Sequence, residues 1–570
     1  MPIKTVSTFW LVAASFCASL GWLLPNNFPP LLSFHKEAWV GALLIVPSAW
    51  VLLMRRTVVP VHLLPVVVVI CAAIPWLQYA GGMIPFFGDA WFQTLYLMGF
   101  LLAMLVGEKW ERETPGQCLD FVCLAVAIAS VASTSIQLHQ WLALKTEAGQ
   151  WILGNGLPNR YYANLAQPNL LSSLLLLGVL ACFWGYYRQK IAGWVATVVA
   201  VFILFGVVLT ASRTAWISII LLTVATHFLR SKLPSSMKIW VVPVLAGYFY
   251  VISLAMPSIN QFLSIPEHDF SLELRGMNDN ARLAGWKMLL DASTLQPWLG
   301  FGWGQIAQAT FSVVARYPAQ NGIFTHAHNL VLDLILWNGY PLGLLLTAFL
   351  VWWLSRVLKK AEHVSQYMVI GALIVLGIHS LLEYPLTYAY FLLPLGLLLG
   401  TLNASLGFRP VFVLKSWVGM VLWALTAVAL ALTIRDYFRV ETSFYGLRFE
   451  SRGIPSSIPK TPPDVLVLTQ WREVVAFSRN VPRSGVSETE LARMRGVVTT
   501  LPTPITMNKL AANLALNNYP QEAFEWLTIS CKTYPEAMCN LMGASWRKES
   551  LANPLLAAIP WPKIVYPKKE

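Results

Sequence analysis

Charge is what this chain has least of: only 12% of its residues are Asp, Glu, Lys or Arg, with 27 acidic residues against 40 basic ones. Soluble domains carry about 25% charged residues, so a soluble globular enzyme, a disordered chain and a coiled coil are all excluded. Cysteine is sparse too. Of the seven, Cys17, Cys71, Cys118, Cys123 and Cys182 fall in or beside apolar stretches without metal-ligand spacing and read as ordinary buried thiols. A cleavable leader is not expected either. The first apolar stretch, residues 9–24, has a weakly basic start and no small-residue cleavage site, so it reads as a retained span. The formal charge of +13 is dispersed between apolar runs and not clustered on one helix or tail, which argues against nucleic acid as a partner.

Hydrophobic residues, by contrast, make up 56% of the chain, and the mean hydropathy is +0.59. Apolar runs of about 20 residues recur along most of its length, each long enough to cross roughly 30 Å of hydrocarbon as a helix. They number about 13, centred near residues 16, 46, 66, 98, 127, 177, 201, 221, 247, 343, 376, 396 and 424. The expected fold is therefore an all-α polytopic membrane protein of about 13 transmembrane helices embedded in membrane lipid. If the N-terminus is cytoplasmic, alternate short loops hold Arg55 and Arg56, Lys109 and Arg112, Arg188 and Lys190, Arg230, Lys232 and Lys238, Arg356, Lys359 and Lys360, and Arg409 and Lys415. The opposite short connections hold almost no Lys or Arg, so one orientation satisfies the positive-inside rule and puts the C-terminus outside.

Three non-cytoplasmic segments are long enough to carry function: residues 139–168, 257–326 and the tail 435–570. The expected division is a multi-span membrane domain, 1–434, followed by an external helical domain, 435–570. Within the tail, residues 505–546 show helix-pair character broken at Tyr519 and Pro520, resembling one tetratricopeptide-style hairpin. Cys531 and Cys539 lie here, and both a disulfide and two free thiols are open.

Ionisable groups at membrane depth are costly, so those that persist are candidate site residues. Four clusters stand out, all on the non-cytoplasmic side. The first, Arg160 to Asn169, ends in Gln167-Pro168-Asn169; its plain reading is a helix start with Pro168 in the first turn. The second, Thr210-Ala211-Ser212-Arg213-Thr214, sits between two apolar runs with too few residues for a loop. Arg213 either snorkels to the interface or holds a phosphate in bidentate fashion. The third, on the long external loop, carries Arg275 and then Arg282, Trp286 and Lys287, with residues 282–290 reading as a short amphipathic helix. A glycine-rich turn over 297–304 follows, where backbone can approach a ligand, and then Thr325-His326-Ala327-His328-Asn329. Two histidines without an evident third ligand make a metal site a poor reading, whereas a histidine near neutrality serves as a general base; a helix-start hydrogen bond is the alternative. The fourth is His379, Glu383, Tyr384 and Pro385, where Glu383 needs a partner such as Arg213 or Arg282. Arginines, a histidine, a glutamine and a tyrosine on one side of the membrane suit a lipid-linked diphosphate whose leaving group develops negative charge.

These motifs, taken together, resemble the bacterial PglL-type protein O-oligosaccharyltransferases, in a superfamily with the O-antigen ligases and Wzy O-antigen polymerases. The resemblance runs from about the fifth span to the tail. It implies metal-independent, inverting transfer of a preassembled oligosaccharide from undecaprenyl diphosphate to Ser or Thr of a periplasmic protein such as a type IV pilin, with no cofactor, in the inner membrane. By that resemblance His328 is the essential base, Arg213 and Arg282 bind the diphosphate, and Gln167 and Tyr384 shape the site together with Arg160, Glu383, His326 and Asn329. His326 stays open as a second base. The tail is where members of that family differ most, which leaves acceptor choice open. Two rivals remain: an O-antigen ligase using the same donor with a lipid A-core acceptor, and a polyprenyl-glycan flippase. Against the flippase, there is no evident inverted repeat, and the charged groups gather at one face and not at the midplane.

Overall fold

The computed structural model describes residues 8–53, 58–145, 147–154, 160–233, 238–265, 272–320 and 322–566. Arg55 and Arg56 lie outside these residues, and the side chain of Arg275 is also outside what is described. Helices run in the order α1 (Thr8–Leu23), α2 (Phe34–Leu53), α3 (Leu63–Ala80), α4 (Phe87–Glu113), α5 (Gln117–Trp141), α6 (Pro168–Tyr187), α7 (Gly193–Leu209), α8 (Arg213–Leu229) and α9 (Val241–Phe262). After them come α10 (Leu272–Leu295), α11 (Ile306–Val313), α12 (Leu330–Lys360), α13 (Val364–Leu382), α14 (Ala389–Ser405) and α15 (Ser416–Ser451). The tail adds α16 (Thr469–Arg479), α17 (Glu488–Thr500), α18 (Pro504–Leu516), α19 (Pro520–Thr533), α20 (Glu536–Ser550) and α21 (Pro554–Ala557). Among the described residues the only sheet is a two-stranded antiparallel ribbon, β1 (Val59–Val61) against β2 (Phe412–Leu414), with Pro60 opposite Val413.

A helix covers each of the expected apolar centres. Eight of them, α3, α4, α5, α6, α9, α12, α13 and α15, are long and apolar enough to cross a membrane, and α1, α7, α8 and α14 are shorter apolar helices. The protein is a multi-pass α-helical membrane protein. Local signals set several boundaries. Gly116, at φ 80°, precedes α5, Pro168 occupies the first turn of α6, and Thr503 with Thr506 closes a capping box ahead of Pro504 in α18. Lys109 is not a loop residue: it lies inside α4, buried, with Nζ donating to Leu52 O at 3.2 Å.

The chain divides into two compact units. The first comprises Met1–Ile70, Tyr96–Met277 and Leu350–Leu430. Its centre is α6, buried on nearly every side and packed against α5, α7, α8 and α13, as expected of a helix that is apolar all round. The first residues of this central helix are Pro168 and Asn169, so the sequence that opens it is fixed at the heart of the unit.

The second unit comprises Cys71–Leu95, Asn278–Phe349 and Ala431–Glu570. The expected loop 257–326, which begins in the first unit and continues into the second, proves largely helical, because α9 continues to Phe262, α10 extends well beyond the expected 282–290, and α11 follows. The Leu, Glu, Arg, Met and Ala residues that precede Arg282 are good helix formers, which apolar periodicity alone overlooks. In the tail, α18 and α19 pair as the expected hairpin, but α20 follows directly, and Cys531 and Cys539 form a disulfide between α19 and α20.

The turn over 297–304 does approach backbone closely, yet the backbone is the chain's own. Gly339 takes φ 75° in the middle of α12, and a Cβ there would sit 2.4 Å from Trp298 C. The kink frees two carbonyls: Phe301 N donates to Leu336 O at 2.7 Å and Gln78 Nε2 donates to Trp337 O at 2.8 Å. Stacking of Trp303 on Trp337, with centroids 5.1 Å apart, completes the wedge. Such replacement partners are what allow a broken helix at membrane depth. The wedge fixes the first half of α12, whose leading end carries His328 and Asn329.

Candidate active site

In the first unit, a cluster forms where α6 and α8 begin and α13 ends. The α7–α8 connection is only Thr210, Ala211 and Ser212. Asn169 stands at the hub. Its Nδ2 donates to Glu383 Oε1 at 3.1 Å, while its Oδ1 accepts from Arg160 Nη2 at 3.1 Å and from Ser212 Oγ at 2.9 Å. Arg160 Nε also donates to Thr210 O at 3.3 Å, and Tyr161 N donates to Leu209 O at 3.1 Å, which ties the Arg160 segment to the α7–α8 turn. One turn further along the same two helices, Ser173 Oγ meets His379 Nδ1 at 2.7 Å. Asn169 and Ser173 are four residues apart on α6, as are His379 in the last turn of α13 and Glu383 at its C-cap, so the helices are joined by two successive polar rungs.

Arg160, Glu383 and the turn bearing Arg213 are therefore brought together. Arg213 is the exposed first residue of α8, at the positive end of that helix's dipole, which favours an anion. Gln167 is the N-cap of α6, but its side chain does not cap, and it is half-buried. Tyr384 stacks on Tyr388 with centroids 6.1 Å apart, and Tyr388 stacks on Tyr390 at 5.1 Å.

In the second unit, Arg282, His326, His328 and Asn329 lie around one loop. Ala327, between the two histidines, is held from both sides: Trp286 Nε1 donates to its carbonyl at 2.8 Å, and its N–H donates to Asp333 Oδ1 at 2.8 Å. Arg282 lies one helical turn before Trp286 on α10, hence on the face that meets the loop. Asn329 is the N-cap of α12, its Oδ1 accepting from Val331 N at 3.0 Å and Leu332 N at 3.2 Å. Burial, with the neighbouring His328 as a smaller contribution, pushes His326 down to about 4. At neutral pH it is an uncharged imidazole and a weak proton acceptor.

Backbone strain marks the same places. Among the described residues eight non-glycine residues take a left-handed φ, and four of them stand in the candidate motifs: Ala163 (49°), Ala166 (62°), Ala211 (47°) and His328 (54°). Each such residue costs on the order of 1–3 kcal/mol and persists only where its surroundings over-determine it. Among the described residues, no group of three or more His, Cys, Asp or Glu is placed to hold a metal ion.

Residues that sequence reasoning passed over include Asn169 as a hub, Asp333, and the buried pair Lys36 and Glu37. An acidic residue in the first turn of an apolar span, and a Lys-Glu pair opening another, were the available signals.

A helical membrane bundle that gathers a guanidinium, an amide, a carboxylate and hydroxyls at its helix ends, together with a separately clamped histidine turn, defines the class: a multi-pass membrane protein with polar clusters at helix ends. Known proteins narrow it. Residues 198–348 match the family described as O-Antigen ligase, and residues 367–546 match Virulence factor membrane-bound polymerase, C-terminal. The chain is 31% identical over 529 residues to a General O-oligosaccharyltransferase of Acinetobacter baylyi, covering 90% of both chains. It is also 26% identical over 403 residues to a ComP-specific O-oligosaccharyltransferase of the same organism, covering 70% of this chain and 72% of that one. The chain belongs to the PglL-type O-oligosaccharyltransferase family, within the O-antigen ligase superfamily.

Proposed function

We propose that the protein is a protein O-oligosaccharyltransferase of the bacterial inner membrane, with a cytoplasmic N-terminus and a periplasmic C-terminus. It transfers a preassembled oligosaccharide en bloc from undecaprenyl diphosphate to a Ser or Thr of a periplasmic acceptor such as a pilin. In this reading His328 takes the proton of the acceptor hydroxyl as its oxygen attacks the anomeric carbon, the bond from that carbon to the diphosphate breaks, and undecaprenyl diphosphate departs. Arg213 and Arg282 bind the diphosphate and stabilise its growing charge. Gln167, Tyr384, Arg160 and Glu383 shape the donor region, the last two through Asn169. His326 packs beside the base, since its depressed basicity suits it poorly to proton transfer, and Asn329 fixes the helix start behind His328.

The observation that carries the reading is the clamped His326-Ala327-His328 turn, with His328 held at φ 54°. The tail contributes to the same unit. Lys532 Nζ donates to Tyr317 O at 2.7 Å, Gln320 N donates to Lys532 O at 2.6 Å, and Phe311 packs edge-on to Trp526. The tail hairpin is thereby joined to the segment leading to the histidines, which supports a role for it in presenting the acceptor.

The match to the O-Antigen ligase family over 198–348 favours one second reading, transfer to lipid A-core. Expression with a lipid-linked glycan pathway in a host lacking its own ligase decides between them. Glycan on a periplasmic protein supports the proposal; glycan on lipid A-core alone overturns it.

A further inference from the structure

Lys36 and Glu37 open α2, and both are buried, Lys36 with only 2% of its surface exposed. Burying an ammonium and a carboxylate is expensive, and an apolar pair of similar volume commonly serves stability as well or better. What the two groups touch is therefore informative. Lys36 Nζ donates to Asn164 O at 2.5 Å. The Glu37 carboxylate accepts from the Ser33 and Tyr96 hydroxyls and, at 2.9 Å, from the Ala389 N–H.

Asn164 lies between the left-handed Ala163 and Ala166, four residues after Arg160 and three before Gln167. Its own side chain donates to Leu23 O at 2.6 Å and Trp151 O at 3.0 Å and accepts from Leu153 N at 2.9 Å. Ala389 opens α14 directly after the Tyr384–Tyr388 stack. Two consecutive residues of one helical turn thus grip the backbones of the two segments that carry the polar cluster: Lys36 holds the Arg160–Asn169 segment, and Glu37 holds the Glu383–Tyr388 segment.

We propose that Lys36 and Glu37 are positioning residues for the donor end of the site, keeping these two segments in the register that the Asn169–Glu383 bond requires. The assignment to the donor rests on the functional reading above; the assignment of register does not.

The test uses the full chain in lipid nanodiscs, comparing wild type with Lys36→Met, Lys36→Arg and Glu37→Gln. With lipid-linked oligosaccharide and acceptor protein, Lys36→Met is expected to raise the donor KM about tenfold, as misplacement of binding groups does, with the acceptor KM unchanged. Lys36→Arg recovers part of the loss. Independently of activity, amide exchange in peptides 160–167 and 383–390 quickens in Lys36→Met and Glu37→Gln, while that of 364–382 does not. Unchanged exchange in both peptides overturns the proposal. So does an equal loss toward donor and acceptor with a lowered thermal midpoint, which is the mark of a merely structural pair. If Lys36→Met fails to accumulate, Lys36→Arg reads the 160–167 arm in milder form, and Ser33→Ala, which removes one donor to Glu37, reads the 383–390 arm. A wild-type chain that turns over no lipid-linked oligosaccharide defeats the functional reading, and the exchange data still decide the positioning claim.

Discussion

Asn169 and Glu383 are joined by a hydrogen bond of 3.1 Å between two helices, and the same Asn169 amide accepts from Arg160 and Ser212. One side chain thus organises a carboxylate, a guanidinium and a hydroxyl. Asn169→Leu removes all three contacts and leaves Glu383 buried with one partner fewer. The expected result is a loss of about 10–100-fold in donor kcat/KM, larger than that of Gln167→Ala, at equal membrane abundance. Steady-state kinetics with varied donor check it, and a smaller loss than for Gln167→Ala contradicts the hub role.

Asp333 fixes the histidine turn through the Ala327 N–H. Asp333→Leu leaves that donor unsatisfied, at about 1–3 kcal/mol, and lets His328 move. Activity is expected to fall at least about tenfold, whereas Asp333→Asn, which keeps an acceptor oxygen, retains most of it. Equal losses in the two variants rule out the hydrogen bond as the cause.

The chain is expected to lose stability in mild acid through His326. Folded, this residue titrates near 4, and its ordinary value is 6.5. Between those two values the unfolded chain binds the extra proton, so stability falls as pH drops through that window and the group contributes no slope above it. His326→Gln abolishes this contribution. Thermal midpoints at pH 7.5 and 4.5 should drop less in the variant than in wild type; identical drops refute the assignment.

Gly339 allows α12 to kink against the 297–304 turn. A Cβ at φ 75°, only 2.4 Å from Trp298 C, has nowhere to go. Gly339→Ala should destabilise by more than about 2 kcal/mol and lower folded yield, read as monodisperse protein in detergent. Wild-type yield and midpoint would show that the wedge adapts.

Much of the bundle was legible in the sequence because apolar length is a direct physical requirement of crossing a membrane. The breaks at Pro168, Tyr519 and Pro520 also fell where proline chemistry puts them. The extent of α10 was hidden, since a polar helix lacks the apolar stripe that reveals one. The motifs around Gln167, Arg213, His328 and Glu383 could be found as costly polar groups, but their partners could not. The Asn169–Glu383 contact spans 214 positions and the Glu37–Ala389 contact 352, and pairings so distant are set by tertiary packing. The glycine-rich turn is legible as a close approach, but its partner is not, because the backbone that meets it belongs to α12.

The central claim is that His328 activates the acceptor hydroxyl, and the intact mass of an acceptor tests it most directly. The chain is co-expressed with a lipid-linked glycan pathway and a panel of periplasmic pilins in a ligase-deficient host, as wild type and as His328→Ala at matched membrane abundance. A glycan-sized mass gain with wild type that vanishes in His328→Ala is the predicted result. A gain that persists in His328→Ala would contradict the account.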